Sequence, residues 1–485
     1  MDVKNLKPEA IFHYFNEICK VPRPSKKEER IIAFLKAFGE EHGLKTVVDE
    51  VGNVSIDKPA TPGYENRKKV ILQCHEDMVC EKNGHVEHDF MTDPIEPYID
   101  GEWLRAKGTT LGADDGIGIA SCLAILADDT IEHGPLQCIF TRDEETGMTG
   151  AFGMQKGFMD GDILINLDSE DEGEMFIGCA GGANTEAVYD YATVDLPQDA
   201  YFFRVAVKGL TGGHSGDDIN KGRANANKLL ARFLYGVAQE TTLYLAAIDG
   251  GNLHNAIPRE ACAVGCVPME YKEQLRIALN VFTSGIENEF AETEPNFATE
   301  LETAEPVSKG ISEEDTMLIV QTLHAMFNGV YAMSMDMPGL VETSSNLASV
   351  KMKGEAIHVV TSQRSSIESQ RRDVSSVISA IFRLGGFATE TADGYPGWKP
   401  NPHSEILGVT VESYKRLFGK EPVVRAIHAG LECGLFLTQY PHLDMVSFGP
   451  TLRGVHSPDE RLLIPTVEMY WKHLLDVLKH IPVKA

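Results

Sequence analysis

Two histidines and three carboxylates are set along this chain in contexts that suit metal chemistry. They are His75 in Cys74-His-Glu-Asp77, Asp114 in Leu111-Gly-Ala-Asp-Asp-Gly116, Glu145 in Asp143-Glu-Glu-Thr-Gly147, Asp168 in Ile165-Asn-Leu-Asp168, and His456 in Gly454-Val-His-Ser457. Two neutral imidazoles and three carboxylates are what two divalent metals need when one carboxylate bridges them. Taken singly, each is ordinary: a strand-end His-x-Asp, a helix-starting Asp pair, an acidic turn, a loop histidine. Taken together they carry weight, because His75, Glu145 and Asp168 each close a short apolar run. Open α/β sheets gather their chemistry at the carboxyl ends of such strands.

The neighbouring residues extend the pattern. Asp77 stands two residues from His75, on the same face of an extended chain, where a carboxylate can orient a ligand imidazole. In Asp114-Asp115, one Asp can cap the helix that follows while the other bridges metals. Glu144 and Glu145 would repel one another unless a cation separated their roles. In a turn both can face one cleft, one binding metal and the other taking a proton from bound water, whose pKa zinc lowers to about 7. Two divalent cations against three carboxylates leave a positive site, able to polarise a carbonyl and stabilise an oxyanion.

The elements that must position these groups alternate. Helical spacing over Ile11–Cys19 and Ile31–Phe38 precedes short strands at 45–49 and 53–57. Three runs, 69–74, 136–140 and 163–167, are apolar on both faces, as in a parallel sheet, and 116–126 reads as an apolar helix. Near residue 185 the character changes to half-exposed strands, including 203–208, 241–245 and 263–267, with amphipathic helices at 224–238 and 272–290. The α/β pattern resumes after Asn401-Pro402, with a helix at 406–418 and strands at 423–427 and 444–448. The expected fold is α/β: a mostly parallel-sheet catalytic domain with helices on both faces, 1–185 and 398–485, interrupted by an inserted α+β domain with an antiparallel sheet, 186–397. His456 must rejoin four partners that lie before residue 170, so the middle stretch is looped out.

Bulk properties narrow the class. The chain has 485 residues, 43% of them hydrophobic, enough for more than one core. Its 44 Lys and Arg against 72 Asp and Glu give a formal charge of −28, which argues against nucleic acid and anionic membranes as partners. No leader and no membrane span is expected. Nine cysteines, none in a Cys-x-x-Cys pair, suit a reducing cytoplasmic setting. The glycine runs at 111–118 and 210–216 lack the endings of nucleotide-binding loops.

The motifs resemble, over the whole length, the dizinc metallopeptidase and aminoacylase family, which includes aminoacylases, glutamate carboxypeptidases and cytosolic dipeptidases. The likeness runs toward its aminoacyl-histidine dipeptidase branch. The resemblance implies that His75 and Asp168 hold one metal, Glu145 and His456 the other, and Asp114 both. Asp77 would orient His75, and Glu144 would be the general acid/base assisting attack by metal-activated water. Leu210-Thr-Gly-Gly-His-Ser-Gly216 and Gly250-Gly-Asn-Leu-His-Asn-Ala-Ile-Pro258 resemble the family's lid segments, implying substrate contacts from His214 and Asn255. Arg364 is similar to the family arginine that clamps a substrate carboxylate, a role suited to a bidentate fork. His428-Ala-Gly-Leu-Glu432 departs from the wider family's Gly-Gly-Thr-Asp, and Glu432 is an expected anchor for a free α-amino group. The implied cofactors are two zinc ions, with cobalt or manganese also suited to these ligands. The implied partners are dipeptides and a second copy of the chain, through the inserted lid domain. Two other readings stay open: a deacylase of N-acyl amino acids, and a metal-binding protein without activity.

Overall fold

Apolar runs with no polar alternation can form strands only if both faces are covered. In the computed structural model, which describes residues 3–484, every residue of Val70–His75, Leu136–Thr141 and Ile163–Asn166 is buried. These strands lie side by side in an eight-stranded sheet. Its order is Lys45–Val48, Val54–Lys58, Leu136–Thr141, Val70–His75, Ile163–Asn166, Asp444–Ser447, Glu174–Cys179 and Val423–Ile427. The four central strands, from Leu136–Thr141 to Asp444–Ser447, run parallel. Antiparallel pairings border them on both sides. The helix Ala113–Ala127 is buried along nearly its whole length, which matches its lack of a polar face.

The chain divides into two units. One comprises residues 1–178, 400–426 and 431–485; the other comprises 179–399 and 427–430.

A small four-stranded antiparallel sheet in the first unit was not legible in the sequence. It pairs Leu452–Arg453 with Arg461–Leu463, then Trp103–Ala106, then Pro97–Asp100. Strands of two to four residues carry too little periodicity to register as a pattern. Residues 454–460, His456 among them, form the hairpin loop of this sheet.

The second unit holds a nine-stranded sheet. Its path is Ala298–Thr303, Tyr201–Lys208, Ala261–Val267, Tyr244–Gly250, Val341–Lys353, Ala356–Ser365, Gly181–Asp190 and Ala388–Thr391, with Gly329–Met333 added against Val341–Lys353. The pairings are antiparallel. Alternate residues, such as Phe203, Val205 and Val207, or Ile357 and Val359, enter one core with the helices Ala226–Glu240, Lys272–Glu289, Glu313–Ala325 and Glu368–Leu384. Phe202 and Cys266 belong to a separate small cluster. The strand expected at 241–245 is displaced to Tyr244–Gly250. The 13-residue strand Val341–Lys353 has no counterpart among the expected elements. Its Glu-Thr-Ser-Ser-Asn opening is turn-like by composition, yet all five side chains are buried in the sheet.

Candidate metal centre

The three strands whose carboxyl ends bear chemistry are immediate neighbours: Leu136–Thr141, Val70–His75 and Ile163–Asn166. His75 is the last residue of the middle strand, 1% exposed. Asp168 follows Asn166 by two residues. Glu144 and Glu145 open a single helical turn, Glu144–Gly147, three residues beyond Thr141. That turn aims adjacent carboxylates in ways a strand could not.

Asp114 sits in a turn ahead of the buried helix, where residues 114 and 115 are non-helical and their peptide bond is cis. Asp115 Oδ1 accepts from Gly118 N at 3.1 Å, capping the helix. Gly112 has φ 68°, and a Cβ there would meet Arg23 Nη2 at 2.8 Å, so a side chain is excluded. Arg23, 3% exposed, donates to the carbonyls of Asp77 and Gly112, tying the strand end to this turn.

The five predicted ligands converge. His75 Nε2 is 3.0 Å from Asp114 Oδ1 and 3.6 Å from Asp168 Oδ1. His456 Nε2 is 3.2 Å from Asp114 Oδ2 and 2.9 Å from Glu145 Oε2. Two triads result, His75–Asp114–Asp168 and Asp114–Glu145–His456, sharing Asp114. Donor atoms around one tetrahedral ion stand roughly 3.4 Å apart, and the observed separations bracket that value. Glu145 Oε1 is buried with no hydrogen-bond partner. The donor set, its spacing and this orphaned oxygen fit a pair of divalent ions.

Electrostatics agree. Burial alone would lower the His75 pKa, but Asp168, Asp114 and Asp77 outweigh it and hold the imidazole well above its ordinary value. Hydrogen bonds donated to Asp114 and Glu145 raise His456 to about 11. Burial raises Asp168 to about 6. Asp114 is lowered, because His456 and His75 outweigh the cost of its burial. A cluster that retains protons on nitrogen lone pairs facing carboxylates has the field to hold cations in their place.

Asp77 Oδ1 lies 3.2 Å from His75 Nδ1 and accepts from Glu144 N at 3.0 Å. Its Oδ2 accepts from Ser25 Oγ at 2.7 Å. One carboxylate therefore braces both the imidazole and the Glu144 turn. Burial pushes the Glu144 carboxyl well above its ordinary pKa, with Asp168, Glu432 and Glu145 adding to the effect and His75 opposing it.

Glu432 is placed differently from an open amine anchor. It is 2% exposed, and its Oε2 accepts from Gln73 Nε2 and Thr141 Oγ1, both at 2.7 Å. Its Oε1 is buried without a partner, and burial raises its pKa to about 7. Gln73 and Thr141 belong to the strands that carry the ligands, so this contact ties Glu432 to their ends.

In the second unit, His214 and Ala256 pair across a two-residue ladder, and Ser215 N donates to Asn255 O at 2.8 Å. Asn255 itself is exposed. His214 Nδ1 accepts from Gly216 N and Asp217 N at 3.3 and 3.1 Å, which assigns the ring proton to Nε2. That Nε2 lies 3.4 Å from Arg364 Nη2. With both groups as donors, they do not hydrogen-bond each other. Arg364, 6% exposed, also donates to Tyr395 Oη at 3.1 Å, and its Nε is buried without a partner. Burial and then Arg364 lower the pKa of His214; the same causes, with His214 added, lower His428 to about 3. The imidazoles are therefore neutral beside the guanidinium.

Three residues near the centre were not singled out from the sequence: Arg23, Glu170 and Glu460. Burial, then Asp114 and Asp168, raise Glu170 to about 8. Only Glu460 had a readable signal, standing four residues after the candidate ligand His456 in the same loop.

An α/β unit that gathers two carboxylate–imidazole triads beside the ends of parallel strands has the groups that metal-dependent hydrolysis uses. Comparison with known proteins narrows this. The model of Peptidase family M20/M25/M40 matches residues 71–480, and the chain belongs to that family. The cytosol non-specific dipeptidase of Escherichia coli (strain K12) is 45% identical over 483 residues, 100% of both chains. The crystal structure of aminoacylhistidine dipeptidase from Vibrio alginolyticus matches with a TM-score of 0.94 at 45% identity, covering 100% of this chain and 99% of that one. Aminopeptidase PepT from Bacillus cereus ATCC 10987 shares the fold alone, with a TM-score of 0.58 at 15% identity over 98% and 99% of the two chains.

Proposed function

We propose that this protein hydrolyses dipeptides with two divalent metals, His75 and Asp168 holding one, Glu145 and His456 the other, and Asp114 both. The observation that carries the reading is the pair of triads sharing Asp114, in a chain 45% identical end to end to a dipeptidase. When bound, the metals acidify water and polarise the scissile carbonyl. Glu144 takes the proton of the attacking water and returns it to the leaving amine; burial raises its pKa, which makes the carboxylate a stronger base. Asp77 holds His75 and the Glu144 turn in register. Arg364 and the Nε2–H of His214 bind the anionic groups of the substrate, with Asn255 on the adjacent segment.

We assign zinc as the native metal, with cobalt or manganese as functional substitutes. We further assign the inserted residues 186–397 as a lid and dimerisation domain, a homodimeric assembly and a cytoplasmic location. No helix among the described residues is long and apolar enough to cross a membrane.

The deciding experiment strips the protein of metal, adds back Zn2+, Mn2+ or Co2+, and assays a dipeptide panel, Xaa-His included, beside N-acetyl amino acids and N-acetyl dipeptides. Metal-dependent cleavage of free dipeptides is expected. Cleavage confined to the N-acyl compounds would make the protein a deacylase, and two bound metals without turnover a binding protein.

A further inference from the structure

The hairpin loop 454–460 carries a second functional group besides His456. Glu460 is 2% exposed, and its carboxylate accepts from four consecutive backbone N–H groups. Oε2 takes those of Leu111 at 2.7 Å and Gly112 at 2.9 Å; Oε1 takes those of Ala113 at 2.8 Å and Asp114 at 3.3 Å. Successive N–H groups turned inward make an anion-binding concavity. Here the chain fills that concavity with its own buried carboxylate, brought from almost 350 residues away.

We propose that Glu460 is a positioning residue that locks the Asp114 turn to the His456 loop, so that the shared carboxylate and one imidazole meet the metals as a single preassembled piece. The proposal rests on the metal assignment made above. Asp side chains readily fold back onto nearby backbone N–H groups. With four N–H groups of this turn already committed to Glu460, the Asp114 carboxylate is left to face His75 and His456. The strand Arg461–Leu463 gives the clamp a rigid base, because it pairs with both Leu452–Arg453 and Trp103–Ala106. The small sheet thus anchors His456 and Glu460 at once.

Glu460→Gln tests this with little change in shape. The amide keeps one acceptor oxygen and turns an NH2 group toward two N–H donors, so half of the clamp is lost. Glu460→Ala removes all of it. Zn2+ affinity would be measured by competition with a chromogenic chelator, and metal content by mass spectrometry after dialysis. Groups that orient metal ligands typically contribute 10–100-fold to affinity, so Glu460→Gln is expected to weaken at least the looser metal by about tenfold or more. Leu474→Ala, a buried core change in the helix Ile464–Lys479, calibrates general destabilisation: it should lower the melting temperature and leave Zn2+ affinity unchanged. Wild-type affinity in both Glu460 variants would overturn the proposal. So would an equal loss of affinity in Leu474→Ala, which would reduce the effect to stability alone. If the unaltered protein itself bound fewer than two metals, the metal assignment would fail instead.

Discussion

Replacing Asp114 with Asn is the most informative single perturbation of the centre. Oδ1 faces His75 Nε2 at 3.0 Å and Oδ2 faces His456 Nε2 at 3.2 Å, so each triad draws one donor from the same carboxylate. The amide retains one acceptor oxygen, directs N–H at the other triad and removes a negative charge shared by both. Two unit charges about 4 Å apart interact by roughly 4 kcal/mol where the effective dielectric is near 20, a lower bound for a divalent ion. At about 1.4 kcal/mol per tenfold, that is on the order of 10³ in affinity for each ion. The metal-free protein is affected as well. The pKa of Asp114 is lowered by its imidazole partners against the cost of burial, so its ionised form stabilises the fold above the unfolded carboxyl pKa. Metal-free Asp114→Asn should therefore melt below the parent at neutral pH and approach it as the pH falls through the acidic range. The assay is equilibrium dialysis against buffered Zn2+ with metal counting, run beside dipeptide hydrolysis. Loss of at least one ion per chain is expected, with kcat/KM reduced by about 10³ or more. Two ions retained at parental affinity, with hydrolysis intact, would refute the shared-carboxylate reasoning.

Other expectations follow from the same geometry. Glu144→Gln should keep both metals and lose turnover by about 10²–10⁴, the range for a general acid–base group, as read by kcat beside metal content. The raised pKa of His456, about 11, means that in the metal-free protein its pairing stabilises the fold fully below the unfolded histidine pKa and fades as the pH rises from there through the folded-state value. Melting temperatures of the chelated protein across this range, with and without His456→Ala, would show it, and proton release on Zn2+ binding should be measurable by calorimetry in buffers of different ionisation enthalpy. Glu432, raised to about 7 by burial, opposes folding increasingly from its unfolded pKa up to that value. Glu432→Gln should therefore raise the melting temperature of metal-free protein at pH 8 and leave it nearly unchanged at pH 4. Arg364→Lys should raise KM about tenfold or more while changing kcat less, because an ammonium cannot reproduce a bidentate fork; equal KM for both forms would remove Arg364 from carboxylate binding.

Local chemistry determined a good deal of this protein. Largely apolar runs at 69–74, 136–140 and 163–167 point to buried parallel strands, whose two faces are both covered. The residues closing those runs, His75, Glu144, Glu145 and Asp168, follow directly from that topology. A division of roles in Asp114-Asp115 was legible because one of two adjacent carboxylates turns back onto the helix; Asp115 does so, and Asp114 faces His75 and His456. What tertiary structure alone decided lies at long sequence separation. The strands flanking His456 are two and three residues long; Leu452–Arg453 pairs with Arg461–Leu463, which pairs in turn with Trp103–Ala106. The Ser- and Thr-rich opening of Val341–Lys353 becomes a strand only because neighbours on both sides satisfy its backbone. Glu432, expected as an amine anchor, and Glu460, not singled out from the sequence, are both buried, held by partners about 290 or more residues away. A buried carboxylate is tolerable only where donors are already in place, and in these cases distant segments supply them after the chain has folded.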